Sequence, residues 1–137
     1  MRNQELIKEA VNVINQKTIG DTQMWDVGCA LVTGNNNVYK WVCIDAPCWV
    51  WFCAEHTAIS QMITHSEYKI KKIVAVWKDE QENIFVIPPC GRCREFMRLT
   101  NEENLEATNI ILDLDKEAKL KDLLPYYDWW QGVDLKL

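Results

Sequence analysis

The stretch Cys53-Ala54-Glu55-His56-Thr57-Ala58-Ile59, taken with Pro88-Pro89-Cys90-Gly91-Arg92-Cys93-Arg94, decides how this chain folds. Three thiols, on Cys53, Cys90 and Cys93, are enough to ligate one zinc ion and leave its fourth position open, as a catalytic metal site requires. Each motif is expected to open a helix, one running from Cys53 through Ile59 and the other from Cys90 to Leu99. Pro88 and Pro89 favour an extended entry and a sharp helix start, and Cys90 and Cys93, three apart, then share a helical face. Gly91 leaves room for another backbone or a ligand. Three thiolates around Zn²⁺ make an anionic cluster, which works against acidification of a bound water. Ligands in a first helical turn meet the positive end of the helix and its free N–H groups, and Arg94 is expected to add a full positive charge behind them. Water on zinc deprotonates near neutral pH, and Glu55, two residues after the first ligand, suits a proton carrier better than a fourth ligand. The rival is a structural zinc clip, which usually has a fourth Cys or His. Cys29, Cys43, Cys48, His56 and His65 are the candidates for that place.

Outward from the motifs, the pattern alternates between helix and strand. Leu6, Ile7, Ala10, Val11 and Ile14 form a helical stripe within Arg2 to Lys17. Met24 to Thr33 reads as a strand, Gly34-Asn35-Asn36-Asn37 as a turn, and Val38 to Asp45 as the returning strand of a hairpin. Pro47 to Phe52 is expected to be an aromatic loop leading into the Cys53 helix. Lys71 to Trp77 has the continuous apolar run of a buried strand, and Ile84 to Ile87 is a short extended approach to the second motif. Thr108 to Leu114 predicts a further strand, and Lys119 to Leu124 a short helix stopped by Pro125. With no linker or repeat, residues 1–137 are expected to form a single α/β domain, a mixed sheet covered on both faces by helices.

Composition narrows the function. The net charge of −5 lacks the basic footprint that polynucleotide binding needs, so a free small molecule is expected rather than nucleic acid. Nothing resembles a signal peptide, and no apolar run is long enough to span a membrane. Six cysteines, three of them assigned to metal, suit a reducing cytoplasm better than a disulfide scaffold. Of seven tryptophans, five stand at Trp41, Trp49, Trp51, Trp129 and Trp130, where core or subunit interface is the expected use ahead of substrate contact.

The two motifs match the three-cysteine form of the zinc deaminase signature, and the order of elements resembles the cytidine deaminase superfamily over nearly the whole chain. Met24-Trp25-Asp26-Val27-Gly28-Cys29-Ala30-Leu31 resembles the family's aromatic-x-Val-Gly-Ala-Ala-Leu strand. The resemblance implies a three-layer α/β/α fold with a five-stranded mixed sheet. It also implies a homotetramer (or a dimer) with pockets completed by neighbouring subunits, Trp25 packing on the nucleoside, and the Ala54 N–H binding the base carbonyl. The family's Asn-x-Glu ribose clamp is missing. Without gaps its places hold Val42 and Ile44, and a one-residue deletion puts Cys43 and Asp45 there instead. The arginine that often follows Cys-Ala-Glu is His56 here. Leu123 to Gly132 resembles the tail of blasticidin S deaminases, with Trp130 matching a tail tryptophan.

These observations point to a zinc-dependent hydrolytic deaminase that converts a free cytosine nucleoside, cytidine-like or blasticidin S-like, to the uracil form with release of ammonia. The expected ligands are Cys53, Cys90 and Cys93, the proton carrier is Glu55, and Trp25, Asp45, Ala54 and Trp130 meet the substrate. A salvage cytidine deaminase with strict ribose recognition and a non-catalytic zinc-binding protein are the alternatives.

Overall fold

Strand β2 (Thr22–Thr33) divides the apolar residues of the chain between two cores, because successive side chains of a strand point to opposite faces. Cys29 and Leu31 enter one core, Ala30 and Val32 the other. Strands β5 (Ile70–Lys78) and β7 (Asn109–Asp113) do the same, with Ile73 and Ile110 on the first face and Val74, Val76 and Ile111 on the second. Both faces are therefore apolar and both must be covered. The second face is covered by α1 (Asn3–Asn12) through Leu6, Ile7 and Ala10. The first is covered by α2 (Ala54–Thr64) through Ala58, Ile59 and Met62 and by α3 (Gly91–Thr100) through Cys93 and Met97, with Leu105 and Leu120 beside them. The computed structural model, which describes residues 1–128, 132, 135 and 136, is thus a three-layer α/β/α sandwich.

The sheet order is β4-β3-β2-β5-β7-β8, with β3 at Val38–Ala46, β4 at Val50–Phe52 and β8 at Lys116–Lys119. All neighbours on this path are antiparallel except β5 and β7, which are parallel. The expected five-stranded mixed sheet is present as β3-β2-β5-β7-β8. Short strands extend it: β4 beyond β3, β1 (Lys17–Ile19) on β2, and β6 (Ile84–Ile87) on β5. Among the described residues the sheet has eight strands.

Two local expectations are corrected. The first helix stops at Asn12 and the chain turns to pair Lys17 with Met24, since past Ile14 no apolar residue continues the helical stripe. Pro47–Phe52 is not all loop. Val50-Trp51-Phe52, a run of strand-forming residues too short to show a period, pairs with Ala46, Asp45 and Ile44. Its turn holds Cys48 and Trp49 at φ 64° and 61°, the left-handed region that side chains other than glycine enter at a cost of order 1–3 kcal/mol. The short helices α4 (Asn104–Ala107) and α5 (Leu120–Leu123) complete the first layer. Buried Asn104 locks it to the sheet, accepting the Ile70 N–H at 2.9 Å and donating to the carbonyls of Met97 at 2.9 Å and Tyr68 at 3.1 Å. No helix among the described residues is long and apolar enough to cross a membrane.

At Gly28 the backbone of α1 lies close against the sheet. A Cβ built there meets the Ala10 carbonyl oxygen at 2.1 Å and Ile14 Cγ1 at 2.9 Å. The backbone carbonyl cannot give way as a side chain can. Gly28→Ala is therefore expected to cost about 3 kcal/mol, the upper end for overpacking. A denaturant titration that finds less than about 1 kcal/mol would mean that α1 does not bear on β2 as described.

Candidate active and metal site

Two helix starts meet at the thiol cluster. Strand β4 delivers Cys53 in extended geometry (φ −61°, ψ 145°) as the N-cap of α2, its carbonyl taking the Thr57 N–H. The Pro88-Pro89 pair delivers Cys90 (φ −66°, ψ 165°) as the N-cap of α3, its carbonyl accepting the Arg94 N–H at 3.0 Å. Cys93, one turn into α3, is fully buried behind them. The sulfurs of Cys90 and Cys93 are 3.5 Å apart, those of Cys53 and Cys90 4.0 Å, and all three lie within 4.8 Å of one another. Thiolates placed tetrahedrally about 2.3 Å from zinc stand about 3.8 Å apart. The donor chemistry agrees with the spacing. Burial, then the neighbouring Cys90, pushes the Cys53 thiol up to about 11. Burial, then the charges of Glu55 and Cys53, pushes Cys93 far above the ordinary thiol range. A cation coordinated by these sulfurs removes that penalty by taking them as thiolates, so the residues present fit Zn²⁺.

Glu55, on the first turn of α2, is 5 % exposed. Burial raises its pKa above the usual carboxylate value, while its own N–H and the Cys93 thiol pull the other way. Beneath it lies the fully buried Cys29, whose thiol is raised by burial first and by the Glu55 charge second.

Cys53, Glu55 and Cys90 line a cavity of about 650 Å³, within the range of small-molecule sites. Its second wall comes from the sheet: Trp25, Asp26 and Val27 of β2, Cys43 and Asp45 of β3, and Trp51 of β4. A break in register builds this wall. Met24 pairs with Ile44 and Gly28 with Val42, so Trp25, Asp26 and Val27 together stand opposite the single residue Cys43. A bulge of this kind re-aims side chains that regular alternation sends to opposite faces. On β3 the ordinary period holds, and Cys43 and Asp45, two apart, share the cavity face. Ile87, Pro88 and Arg92 close the cavity beside Cys90.

Of the residues expected from sequence, Trp25, Asp45 and Ala54 line the same cavity as Cys53, Cys90 and Glu55. Arg94 lies outside the cavity lining. Its Nε donates to the Pro89 carbonyl at 2.8 Å and its Nη1 to the Leu123 carbonyl at 2.9 Å, so it ties the approach to Cys90 to the C-terminal part of the chain. The expected contact of Trp130 lies outside the described residues. The sequence reading missed Asp26, Trp51 and Arg92, while Cys43 lines the cavity beside Asp45, the pair that a one-residue deletion sets at the clamp. Trp51 had a legible signal, two residues before Cys53. Asp26 depends on the bulge, and no spacing announces it. His56 presents its ring edge-on to Phe96 at 4.6 Å, and its buried Nε2 has no hydrogen-bond partner among the described residues. Burial, then the charge of Arg92, holds its imidazole below the usual range.

Comparison with known proteins agrees with this geometry. Residues 1–107 match the family described as the cytidine and deoxycytidylate deaminase zinc-binding region. The fold is similar to that of cytidine deaminase from Mycobacterium tuberculosis, at 18% identity and a TM-score of 0.69, covering 90% of this chain and 94% of that one. It is similar also to cytidine deaminase from Burkholderia pseudomallei, at 22% identity and a TM-score of 0.71, covering 92% and 98%. A third likeness is to cytidine deaminase from Bacillus anthracis, at 22% identity and a TM-score of 0.71, covering 90% and 86%.

Replacing Cys90 or Cys93 by alanine is expected to lose both metal and stability, since metal affinity is coupled to folding. Cys29, Cys43 and Cys48, replaced one at a time by similarly small residues, should leave one zinc per chain. Metal analysis by plasma mass spectrometry checks this, and zinc that depends on Cys48 would overturn the ligand set.

Proposed function

The chain belongs to the cytidine and deoxycytidylate deaminase family and is a zinc-dependent deaminase, and from that premise we propose that its substrate is a free cytosine nucleoside, hydrolysed to the uracil form with release of ammonia. The observation that carries this is that Cys53 and Cys90 of the three-thiol cluster and the buried Glu55 line one cavity, with Cys93 buried behind them.

Zinc, when bound, supplies Lewis acidity that brings the pKa of a water close to neutrality. Glu55 takes a proton from the water as it adds to the carbon bearing the amino group. It hands that proton to the adjacent ring nitrogen, then takes the proton of the hydroxyl now on the carbon and delivers it to the amine, so that the C–N bond breaks, ammonia leaves and the carbonyl of the uracil form remains. Burial suits Glu55 to this work by raising its proton affinity relative to an exposed carboxylate. Ala54, the first residue of α2 and part of the cavity lining, has an N–H without an intrahelical acceptor, which serves as a donor for the base carbonyl. Trp25 offers the base or sugar an apolar face.

Charge favours a nucleoside over a nucleotide or a polynucleotide. The sheet wall of the cavity carries the carboxylates of Asp26 and Asp45, with Arg92 as its cation, and the whole chain is at −5. The blasticidin S-like branch is the finer reading, supported by the tail at residues 123–132 and by the missing Asn-x-Glu. A cytidine deaminase of nucleoside salvage is favoured by one observation, the Cys43–Asp45 pair facing the cavity where that clamp lies under a one-residue deletion. A homotetramer suits the exposed aromatic residues at and before β4, where Trp49 is 99% exposed, Trp51 60% and Phe52 45%. Six free thiols suit a reducing cytoplasm.

Glu55→Ala is expected to keep zinc and melting temperature while turnover falls at least roughly a hundredfold, the low end for a general acid–base residue. Retained ammonia release in that variant would refute the proton-carrier role. In the wild type, the ratio of kcat/KM for cytidine to that for 2′,3′-dideoxycytidine is expected to stay below about a thousandfold. A site built around substrate hydroxyls rejects such an analogue by roughly ten-thousandfold, and a ratio of that size would establish the strict salvage enzyme.

A further inference from the structure

Asp26 enters the cavity only because three residues of β2 stand opposite Cys43, and it does not enter loosely. The Trp77 indole N–H donates to Asp26 Oδ2 at 2.6 Å from β5, the neighbouring strand. Trp77 is itself fixed by stacking on Phe85 of β6, with ring centroids 5.2 Å apart and planes at 27°, in the register that pairs the two residues. Trp77 is 37% exposed, so burial does not force its N–H to find a protein partner. Among the described residues this is the one side-chain hydrogen bond recorded for the Asp26 carboxylate. A carboxylate accepts at two oxygens and several lone pairs, and acceptor capacity therefore remains on a half-buried side chain that lines the cavity.

The position in the cavity gives that capacity a use. The base must lie against Glu55 and the Ala54 N–H, at the helix end of the cavity. The rest of the nucleoside is left to the strand wall, where Trp25, Asp26, Asp45 and Trp51 stand. Cys43, facing the same space, has a thiol that is a poor hydrogen-bond partner. We propose that Asp26, oriented by Trp77, is a specificity-determining residue that accepts a hydrogen bond from a donor group on the sugar of the substrate. Trp77 is its positioning residue and does not touch the substrate. This rests on the nucleoside reading above and assigns the sugar contact within it.

The test compares cytidine with 2′,3′-dideoxycytidine on zinc-loaded full-length protein, measuring kcat and KM separately. Asp26→Asn keeps the shape and still offers a carbonyl to Trp77, but turns its amide N–H₂, a donor, toward the sugar. It is expected to lower kcat/KM for cytidine by roughly ten- to a hundredfold, the range of a hydrogen bond to a charged group, and to do so through KM. The dideoxy analogue loses much less, so the ratio between the two substrates falls toward one. Trp77→Phe keeps the stack on Phe85 and removes the N–H, and is expected to shift the ratio the same way by a smaller factor. Zinc content and melting temperature of each variant are measured alongside, and if Asp26→Asn does not fold, Trp77→Phe decides. Equal losses on both substrates, an unchanged ratio, or a wild-type ratio already near one overturns the assignment. A wild type that deaminates neither nucleoside overturns the nucleoside reading and this inference with it, whereas an active wild type with an unmoved ratio overturns the Asp26 role alone.

Discussion

Three sulfurs that must become anions to do their work are packed within 4.8 Å of one another, one of them fully buried. Without a cation they resist ionisation, as the raised thiols of Cys53 and Cys93 show. The fold answers with two helix N-termini aimed at one point, each adding at most about 2 kcal/mol of favourable interaction with negative charge. That is small beside the several kcal/mol per ion of desolvation and repulsion in such a cluster. The helix ends therefore hold the sulfurs in place, and zinc supplies the rest. The demand that α2 and α3 start side by side determines much of the remaining architecture. Strand β4 must end at Phe52 and the proline pair must keep the chain extended from the end of β6 to Cys90. Arg94 then clamps the Pro89 carbonyl so that this approach does not drift.

The opposite wall of the cavity follows another rule. A regular β2 would send Trp25 and Val27 to one face and Asp26 to the other. The register shift between Met24 and Gly28 brings all three to the cavity. Gly28 closes the shifted segment and lies directly under the Ala10 carbonyl of α1, so a side chain there would push the helix off the sheet where the irregular stretch rejoins regular pairing. The same glycine thus serves helix packing on one face and the shape of the site on the other.

Much of this was legible in the chain. Cys53-Ala54-Glu55 and Pro89-Cys90-Gly91-Arg92-Cys93 located the thiol cluster and the buried carboxylate beside it, because metal ligation and helix entry both impose local spacing. The strand read at Met24 to Thr33 and the unbroken run at Ile73 to Trp77 located the central strands. What escaped depends on contacts distant in sequence. Trp51 pairs with Asp45 only through a tight turn that puts Cys48 and Trp49 at positive φ, conformations those residues do not advertise. Asp26 and Trp77 are 51 positions apart, and only the β2–β5 register, in which Val27 faces Trp77, brings them together. Arg94 follows its ligand in sequence, yet its guanidinium is spent on two backbone carbonyls, while Arg92 reaches the cavity instead.

The two ends of the cavity are built from different parts of the fold, and this separates chemistry from selectivity. Glu55, Ala54 and the ligands sit on helix starts, where moving any one of them disturbs the cluster and the burial of Met62, Cys93 and Met97 behind it. The strand wall, to which the proposal assigns the sugar, sits on β2, β3 and β4 near the sheet edge, where side chains change without altering backbone pairing. The fold is shared with cytidine deaminases at 18% and 22% identity and TM-scores of 0.69 and 0.71, a level at which few side chains are held in common. Fold alone therefore says little about the sugar. Val42, Cys43 and Ile44 occupy the strand where the family's ribose clamp is expected, and a neighbouring strand carries a carboxylate fixed by an indole. Because the bulge, and not the motif, presents that carboxylate, the sugar contact proposed for Asp26 leaves the thiol cluster untouched.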